Sequence, residues 1–385
     1  MCILTMKVDT FQVERWMNKY ENGYTTSGVF HNVEYNLAET CVDPFTLAEF
    51  LDFVGKSDFF DDFQHKKLTY GYIEGNPSLR EGIAHMYKEV DPKNVLVTGG
   101  AIEANFNSFY SLVEPGDTVI SVTPTYQQLF SVPKGFGAKV KKLDLKPENM
   151  WLPDLEQLKE HIDSKTRMIV LNNPNNPCGS LIDEVSLRAI CEIAEDVDAF
   201  VHSDEAYRGL YIDPKDKVPS VVDIYEKGIA VGSFSKPFSL TGLRLGWITS
   251  NEETVYQFML RRDYTTISKS MLDEALAAEA MPHIDRILER NNRIVRENWK
   301  MLDDWISKEP LLDWVRPTAG SVAFMEHHVD MKASELCLRL INEKSTFMVP
   351  GDCFDLPGYL RIGYGNNRKL LEDGLEQVSE LLAEL

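Results

Sequence analysis

An alternation of short strand-like runs with helical stretches constrains this chain more than any other feature. Runs rich in Val, Ile, Leu and Phe occur at Val95–Thr98, Thr118–Val122, Lys139–Leu143, Met168–Leu171, Phe200–Ser203, Ile229–Ser233 and Leu245–Thr249. Helical stretches such as Leu155–Ile162 and Glu184–Ala194 lie between several of them. Strands that alternate with helices are joined by crossovers into a mostly parallel sheet covered on both faces. The expected fold class is therefore α/β, with a large domain built on a mostly parallel seven-stranded sheet covered by helices. Such sheets bind ligands at the carboxyl ends of their strands, so the loops leaving these runs are where chemistry is expected.

The pattern changes near residue 282. Pro282–Ser307 reads as one long amphipathic helix, with Ile284, Ile287, Leu288, Ile294, Val295 and Leu302 on one face. Arg286, Arg290 and Arg293 mark another face, which reads as solvated and paired with glutamates. Strand signals at Gly320–Met325 and Tyr359–Gly363 and a final helix over Asn367–Leu382 suggest a smaller α+β domain. The expected organisation is an N-terminal arm and part of the small domain over 1–48, with a helix at Thr10–Tyr20. A large domain over 49–281 and a small C-terminal domain over 282–385 follow, a division that suits a chain of 385 residues.

Composition narrows the function classes. Forty Lys and Arg against sixty Asp and Glu give a net charge of −20, which disfavours binding to nucleic acid or to anionic membranes. No apolar run approaches the ~20 residues that span a bilayer. Met1–Lys7 lacks the charged-then-apolar layout of a secretory signal. Cys2, Cys41, Cys178, Cys191, Cys337 and Cys353 are scattered, with neither a C-x-x-C pair nor zinc spacing. Together these features predict a cytoplasmic protein. His327-His328 has no third ligand at metal spacing and reads as a surface pair, so no metal is expected. P-loop, H-E-x-x-H and G-x-S-x-G motifs are absent.

Chemistry concentrates in a few strand-to-loop junctions. In Ser233-Phe234-Ser235-Lys236-Pro237-Phe238, a strand runs into a lysine, and Arg244 follows before the next strand. Alone, Lys236 could be an ordinary exposed turn lysine. Its neighbours Phe234, Phe238 and Leu240 instead make an apolar setting that would depress the amine, and only a neutral amine attacks a carbonyl. Ser233 and Arg244 offer a hydrogen bond and a fixed positive charge, a pairing suited to a phosphate dianion. Asp204 ends the apolar run of Val201-His202-Ser203, as a site carboxylate or as a helix N-cap. Asn172-Asn173-Pro174-Asn175-Asn176-Pro177-Cys178-Gly179 is a crowded turn. Thr98-Gly99-Gly100-Ala101-Ile102 is a Gly-rich strand-to-helix turn whose exposed amides suit a phosphate.

In order and spacing these loops resemble the fold type I pyridoxal-phosphate enzymes, in the class I/II aminotransferase (aspartate aminotransferase-like) family. The resemblance runs from about Tyr70 to Arg361 and rests on Asn-Pro-x-Gly, then Asp-x-x-Tyr, then Ser-x-x-Lys with Arg eight residues beyond the lysine. It implies pyridoxal 5'-phosphate as cofactor and transfer of an amino group between an amino acid and a 2-oxo acid. A lyase, cyclase, decarboxylase or oxidase on the same scaffold would share the same cofactor residues.

By this resemblance Lys236 is the lysine that carries the cofactor and shuttles the α-proton, and Asp204 keeps the pyridine nitrogen protonated. Tyr207 and Asn176 match the pair that bonds the cofactor's phenolic oxygen. Ser233, Arg244 and the amides of Gly100, Ala101 and Ile102 match phosphate ligands. Tyr126 matches the ring-stacking aromatic, which alone would read as a half-buried core tyrosine. Arg361 matches the arginine that grips the substrate carboxylate, and Tyr70 the tyrosine that reaches a neighbouring subunit's phosphate, implying a homodimer. The sequence departs from the family pattern at Ile102, where relatives have a hydroxyl, at Cys178, and over Tyr35–Thr40, which lacks the usual glycine. Glu39 and the Tyr264–Lys269 stretch are therefore the expected shapers of the substrate pocket.

Overall fold

All seven runs form strands of one sheet in a computed structural model, which describes residues 8–20 and 33–385. The readings of Met1–Lys7 and Cys2 lie outside these residues. The strands are β1 (Val95–Thr98), β2 (Thr118–Thr123), β3 (Lys139–Asp144), β4 (Thr166–Asn172), β5 (Phe200–Asp204), β6 (Gly228–Ser233) and β7 (Gly246–Thr249). Their order is β1-β7-β6-β5-β4-β2-β3, and only β7 runs antiparallel to its neighbours. Side-chain alternation divides the sheet cleanly. Val97, Ile120, Ile169 and Val201 enter one core, while Leu96, Val119, Val170 and Ile229 enter another on the opposite face. Burial on both faces is what the near-continuous apolar runs imply.

The helix α1 (Gln12–Tyr20) belongs to the N-terminal arm, and α2 (Ala101–Leu112) follows β1. The long helix α3 (Ile284–Ile306) buries Ile287, Val295 and Leu302 as its pattern predicts. One of its arginines departs from expectation. Arg290 stacks 4.2 Å over the Phe45 ring and donates to the Asp43 carbonyl at 3.1 Å. Arg286 lies 4.5 Å over Phe53 and donates to that residue's carbonyl. Arg286 and Arg293 stay exposed as predicted, while Arg290 is half-buried because Phe45 and Asp43, rather than water, lie against it.

Beyond α3, strands β8 (Leu312–Trp314), β9 (Val322–His327), β10 (Val349–Pro350) and β11 (Tyr359–Gly363) make an antiparallel sheet in the order β10-β11-β9-β8. His327 faces inward and is buried, whereas His328 is half exposed and pairs with Asp313 at 2.8 Å. The expected surface pair is thus split by strand alternation. The arm joins this lobe directly, since Tyr35–Asn36 pairs in parallel with Thr346–Phe347. Leu37 continues the tie by donating to Phe347 and accepting from the Gly363 amide. A Cβ on Gly363 would collide with the Glu39 carbonyl, so this close approach needs glycine. It sets residues 39–41 at the mouth of the large sheet.

Candidate active site

A cavity of about 350 Å³ opens where β1, β4, β5 and β6 end and where the arm crosses them. Lys236, Asp204, Tyr207, Asn176, Tyr126 and Arg361 all line it, as do Gly100, Ala101, Ile102, Ser233, Arg244 and Glu39. Tyr70 does not. It is 82% exposed on an outer surface with Leu68, Tyr72 and Tyr264. Lys269 is also outside the cavity, held in a 2.6 Å ion pair with Glu103. Within one chain the Tyr264–Lys269 stretch therefore does not shape the pocket, contrary to expectation, because Glu103 and Thr266 tie it down beside the N-terminus of α2.

One end of the cavity is built for an anion. Gly100, at φ +82°, caps α2 without a side chain and leaves the first amides of the helix facing the cavity. Beneath it, a Cβ on Gly246 would come within 2.6 Å of the Gly100 backbone, so glycine is needed for β7 to pack there. Arg244 sits at φ +50°, a left-handed conformation costing on the order of 1 kcal/mol for a residue with a side chain. That turn carries its guanidinium to Gly100, where among the described residues it donates to the Thr241 carbonyl at 3.2 Å and, weakly, to Ser235 Oγ at 3.4 Å. Ser233 and Ser235 are buried beside it. These groups fit a phosphate.

Lys236 occupies a polar corner. Its Nζ donates to Thr40 Oγ1 at 2.6 Å and to Cys41 Sγ at 3.3 Å, with Glu39 Oε1 at 3.9 Å. Phe234 and Phe238 point the other way, packing with Trp247 under the loop. Burial does press the Lys236 amine down, but Cys41, Tyr207 and Glu39 more than offset it, and the net direction is up. The expected depression is thus reversed by neighbours from the arm. Burial raises Glu39 in turn, yet Lys236 and the amides of Thr40 and Cys41 hold its carboxyl at about 2.

Asp204 is buried at the end of β5 and accepts from the Ala206 amide at 3.0 Å. Asn105 Nδ2 donates to its other oxygen at 2.8 Å, Asn105 Oδ1 meets His202 Nε2 at 2.9 Å, and His202 Nδ1 lies 3.1 Å from Ser108 Oγ. Burial holds His202 down to about 3, so the ring is neutral. An amide oxygen only accepts, which puts the imidazole hydrogen on Nε2 and leaves Nδ1 to accept from Ser108. Every donor in the chain therefore points toward Asp204. Burial still raises the Asp204 carboxyl, against the pull of Asn105 and Ala206. Its signal was present in sequence as polar Asn105 and Ser108 one turn apart on a sheet-facing helix, with His202 inside an apolar strand. Asn105→Leu should orphan both Asp204 and His202, lowering stability by about 1–3 kcal/mol in urea melts and weakening cofactor retention on dialysis.

The crowded asparagine turn is stapled by its own side chains. Asn172 donates to the Asp204 carbonyl and accepts from the Asn176 amide at 2.7 Å, and Asn175 accepts from the Cys178 amide at 3.0 Å. This presents Asn176 Oδ1 to Arg361, which donates to it at 3.3 Å and to the Ala38 carbonyl at 3.0 Å. Arg361 is only 3% exposed, and its Nε has no hydrogen-bond partner among the described residues. A buried guanidinium with a spare donor suits a carboxylate. Thr40, Cys41, Ser235 and Glu14, whose carboxylate accepts from Tyr126 Oη at 2.8 Å, also line or contact this space and carry no motif that marks them in sequence.

Comparison with known proteins agrees with this geometry. The aminotransferase class I and II family model matches residues 61–378, and the chain belongs to that family. It is a pyridoxal-phosphate-dependent aminotransferase of fold type I. Capreomycidine synthase of Streptomyces vinaceus is 31% identical over 80% of this chain and 79% of its own length. Aspartate aminotransferase of Pyrococcus horikoshii is 28% identical over 80% of this chain and 81% of its own. A pyridoxal-phosphate-dependent aminotransferase from Streptococcus suis 89-1591 superposes with a TM-score of 0.93 at 41% identity, covering 98% of this chain and 99% of that one. No helix among the described residues is long and apolar enough to cross a membrane.

Proposed function

We propose that Lys236 is the residue that carries the cofactor and moves the substrate's α-proton, in a site shared between two subunits of a cytoplasmic homodimer. The observation that carries the reading is the convergence of Lys236, Asp204, Arg361 and the Gly100–Arg244 anion cradle on one cavity. When bound there, pyridoxal phosphate would supply an electron sink for the electrons left at Cα. Arg244, Ser233, Ser235 and the amides of Gly100, Ala101 and Ile102 would hold its phosphate, Asp204 would face its ring nitrogen, and Tyr207 and Asn176 its phenolic oxygen. Tyr126 would cover the ring.

Arg361 would fix the substrate carboxylate and so orient the Cα–H toward Lys236. Thr40 and Cys41 hold the lysine Nζ in place, so one amine can take the proton at Cα and return it a short distance away. Amino acid and 2-oxo acid would then exchange the amino group in two half-reactions. The same reading takes 49–281 as the cofactor-binding domain, 282–385 as the small domain, and 1–48 as an arm that closes the site. The scattered cysteines, free at all five described positions, support a reducing compartment. Similarity to a synthase also keeps a lyase or cyclase outcome in view, and ammonia release without a 2-oxo acid acceptor would identify it.

The exposed Leu68, Tyr70, Tyr72 and Tyr264 supply the apolar surface for the dimer, with Tyr70 reaching the neighbouring cavity. Complementation tests this. Tyr70→Ala and Lys236→Ala chains, each inactive or weak alone, should regain about a quarter of wild-type activity when refolded together, since half the dimers then hold one intact site. No recovery in a mixture shown to contain heterodimers would rule out sharing through Tyr70.

A further inference from the structure

We infer that the substrate this site selects is an amino acid whose side chain is an alkyl stem ending in a cation, an ammonium or a guanidinium. The inference deepens the reading of the cavity as an amino-acid site and rests on it. It comes from a balance of charges on the cavity wall. The cations there are Lys236, Arg244 and Arg361, and the anions are Asp204, Glu39 and Glu14.

Most of these charges have an evident use. Arg244 lies against the α2 N-terminus, Asp204 is met by Asn105 and the Ala206 amide, and Glu39 faces Lys236. Arg361 keeps an unpartnered donor although it is almost wholly buried, which points to a carboxylate-bearing ligand in this cavity. Glu14 is the charge left over. It accepts one hydrogen bond, from Tyr126 Oη at 2.8 Å, and has no ion-pair partner among the described residues. Burial and Glu14 both raise the Tyr126 phenol, so it stays a donor and contributes no cation.

Glu14 is not a loose surface acid. The Gln12 amide donates to Gln127 Oε1 at 2.8 Å, and Trp16 Nε1 donates to the Met348 carbonyl at 3.0 Å. The helix is thus fixed to the large sheet's lobe on one side and to the small lobe on the other. The same helix presents Val13 and Met17 to the cavity, an apolar wall for methylene groups with a carboxylate beside it. A dicarboxylic substrate would bring a second anion against the Glu14 carboxylate, whereas an ammonium or guanidinium would complete the pairing that Glu14 lacks. Glu39, also on the arm, lines the same cavity.

The test uses the holoenzyme and an isosteric pair. L-ornithine and L-norleucine have side chains of equal length and differ in the terminal charge. Wild-type kcat/KM should favour L-ornithine, L-lysine or L-arginine over L-norleucine and over L-aspartate and L-glutamate. Glu14→Gln, which preserves an oxygen for Tyr126, should lower the ornithine-to-norleucine ratio by roughly 10-fold or more. Circular dichroism and cofactor content establish that the variant is folded and loaded. A wild-type preference for dicarboxylic amino acids, or a ratio unmoved in Glu14→Gln, overturns the inference while leaving the aminotransferase reading intact. If no amino acid of any class changes the visible spectrum, the site reading fails first and the inference goes with it.

Discussion

Lys236→Ala should lower kcat by roughly 10⁴-fold or more, because on the proposed reading it removes both the covalent anchor and the base that moves the α-proton. Loss of fold would not account for this. Among the described residues the Lys236 amine meets Thr40, Cys41 and Glu39, and the aromatic residues that hold its loop, Phe234 and Phe238, remain packed against Trp247. Thermal melts of the variant should therefore stay close to wild type. A second readout separates chemistry from binding. Borohydride reduction of wild type with bound cofactor should leave one covalent adduct by mass spectrometry, and Lys236→Ala should show none. An adduct that persists in the variant would place the anchor on another residue.

Asp204→Ala ranks next, with an expected loss of roughly 10³-fold in kcat/KM and weaker retention of cofactor. Burial pushes the Asp204 carboxyl up although Asn105 and the Ala206 amide favour its ionised form. A carboxyl so placed gains most when a basic nitrogen sits against it and the two share a proton in a water-free pocket. Asp204→Asn should be nearly as damaging, since the amide keeps the shape and loses the charge. Asp204→Glu keeps the charge only by displacing Asn105, so retained activity there would argue that charge outweighs placement. Steady-state kinetics with cofactor titration distinguish lost affinity from lost turnover.

The large sheet was legible because its strands are short, all but the Lys-rich edge strand β3 are apolar, and a turn or helix follows each. Boundaries moved by a residue or two where pairing decided them, as at Thr166, which joins β4 through its partner Thr118, and at Leu245, which falls outside β7. Within the site, the residues that local sequence singled out lie at strand ends or in the turns beside them: Asp204 ends β5, Gly100 caps α2, and Lys236, Asn176 and Arg244 sit in turns within a few residues of a strand. Thr40, Cys41 and Glu14 were not, because they reach the cavity from the arm, about two hundred residues away in sequence from Lys236, and no local pattern reports such a crossing. The same blindness misplaced the Lys236 amine. Its sequence neighbours are apolar, but its spatial neighbours are a hydroxyl, a thiol and a carboxylate. Arg290 repeats the lesson, with helical spacing marking it as outward while Phe45 and Asp43 of the arm cover it.

The most direct test of the central claim is the visible spectrum of the purified holoenzyme, taken before and after addition of an amino acid and again after addition of a 2-oxo acid. Transamination at Lys236 predicts a yellow protein that bleaches with the amino acid, releases its 2-oxo acid in equal amount, and recovers its colour with the second substrate. Colour that no 2-oxo acid restores, with ammonia or carbon dioxide released in place of the oxo acid, would contradict it.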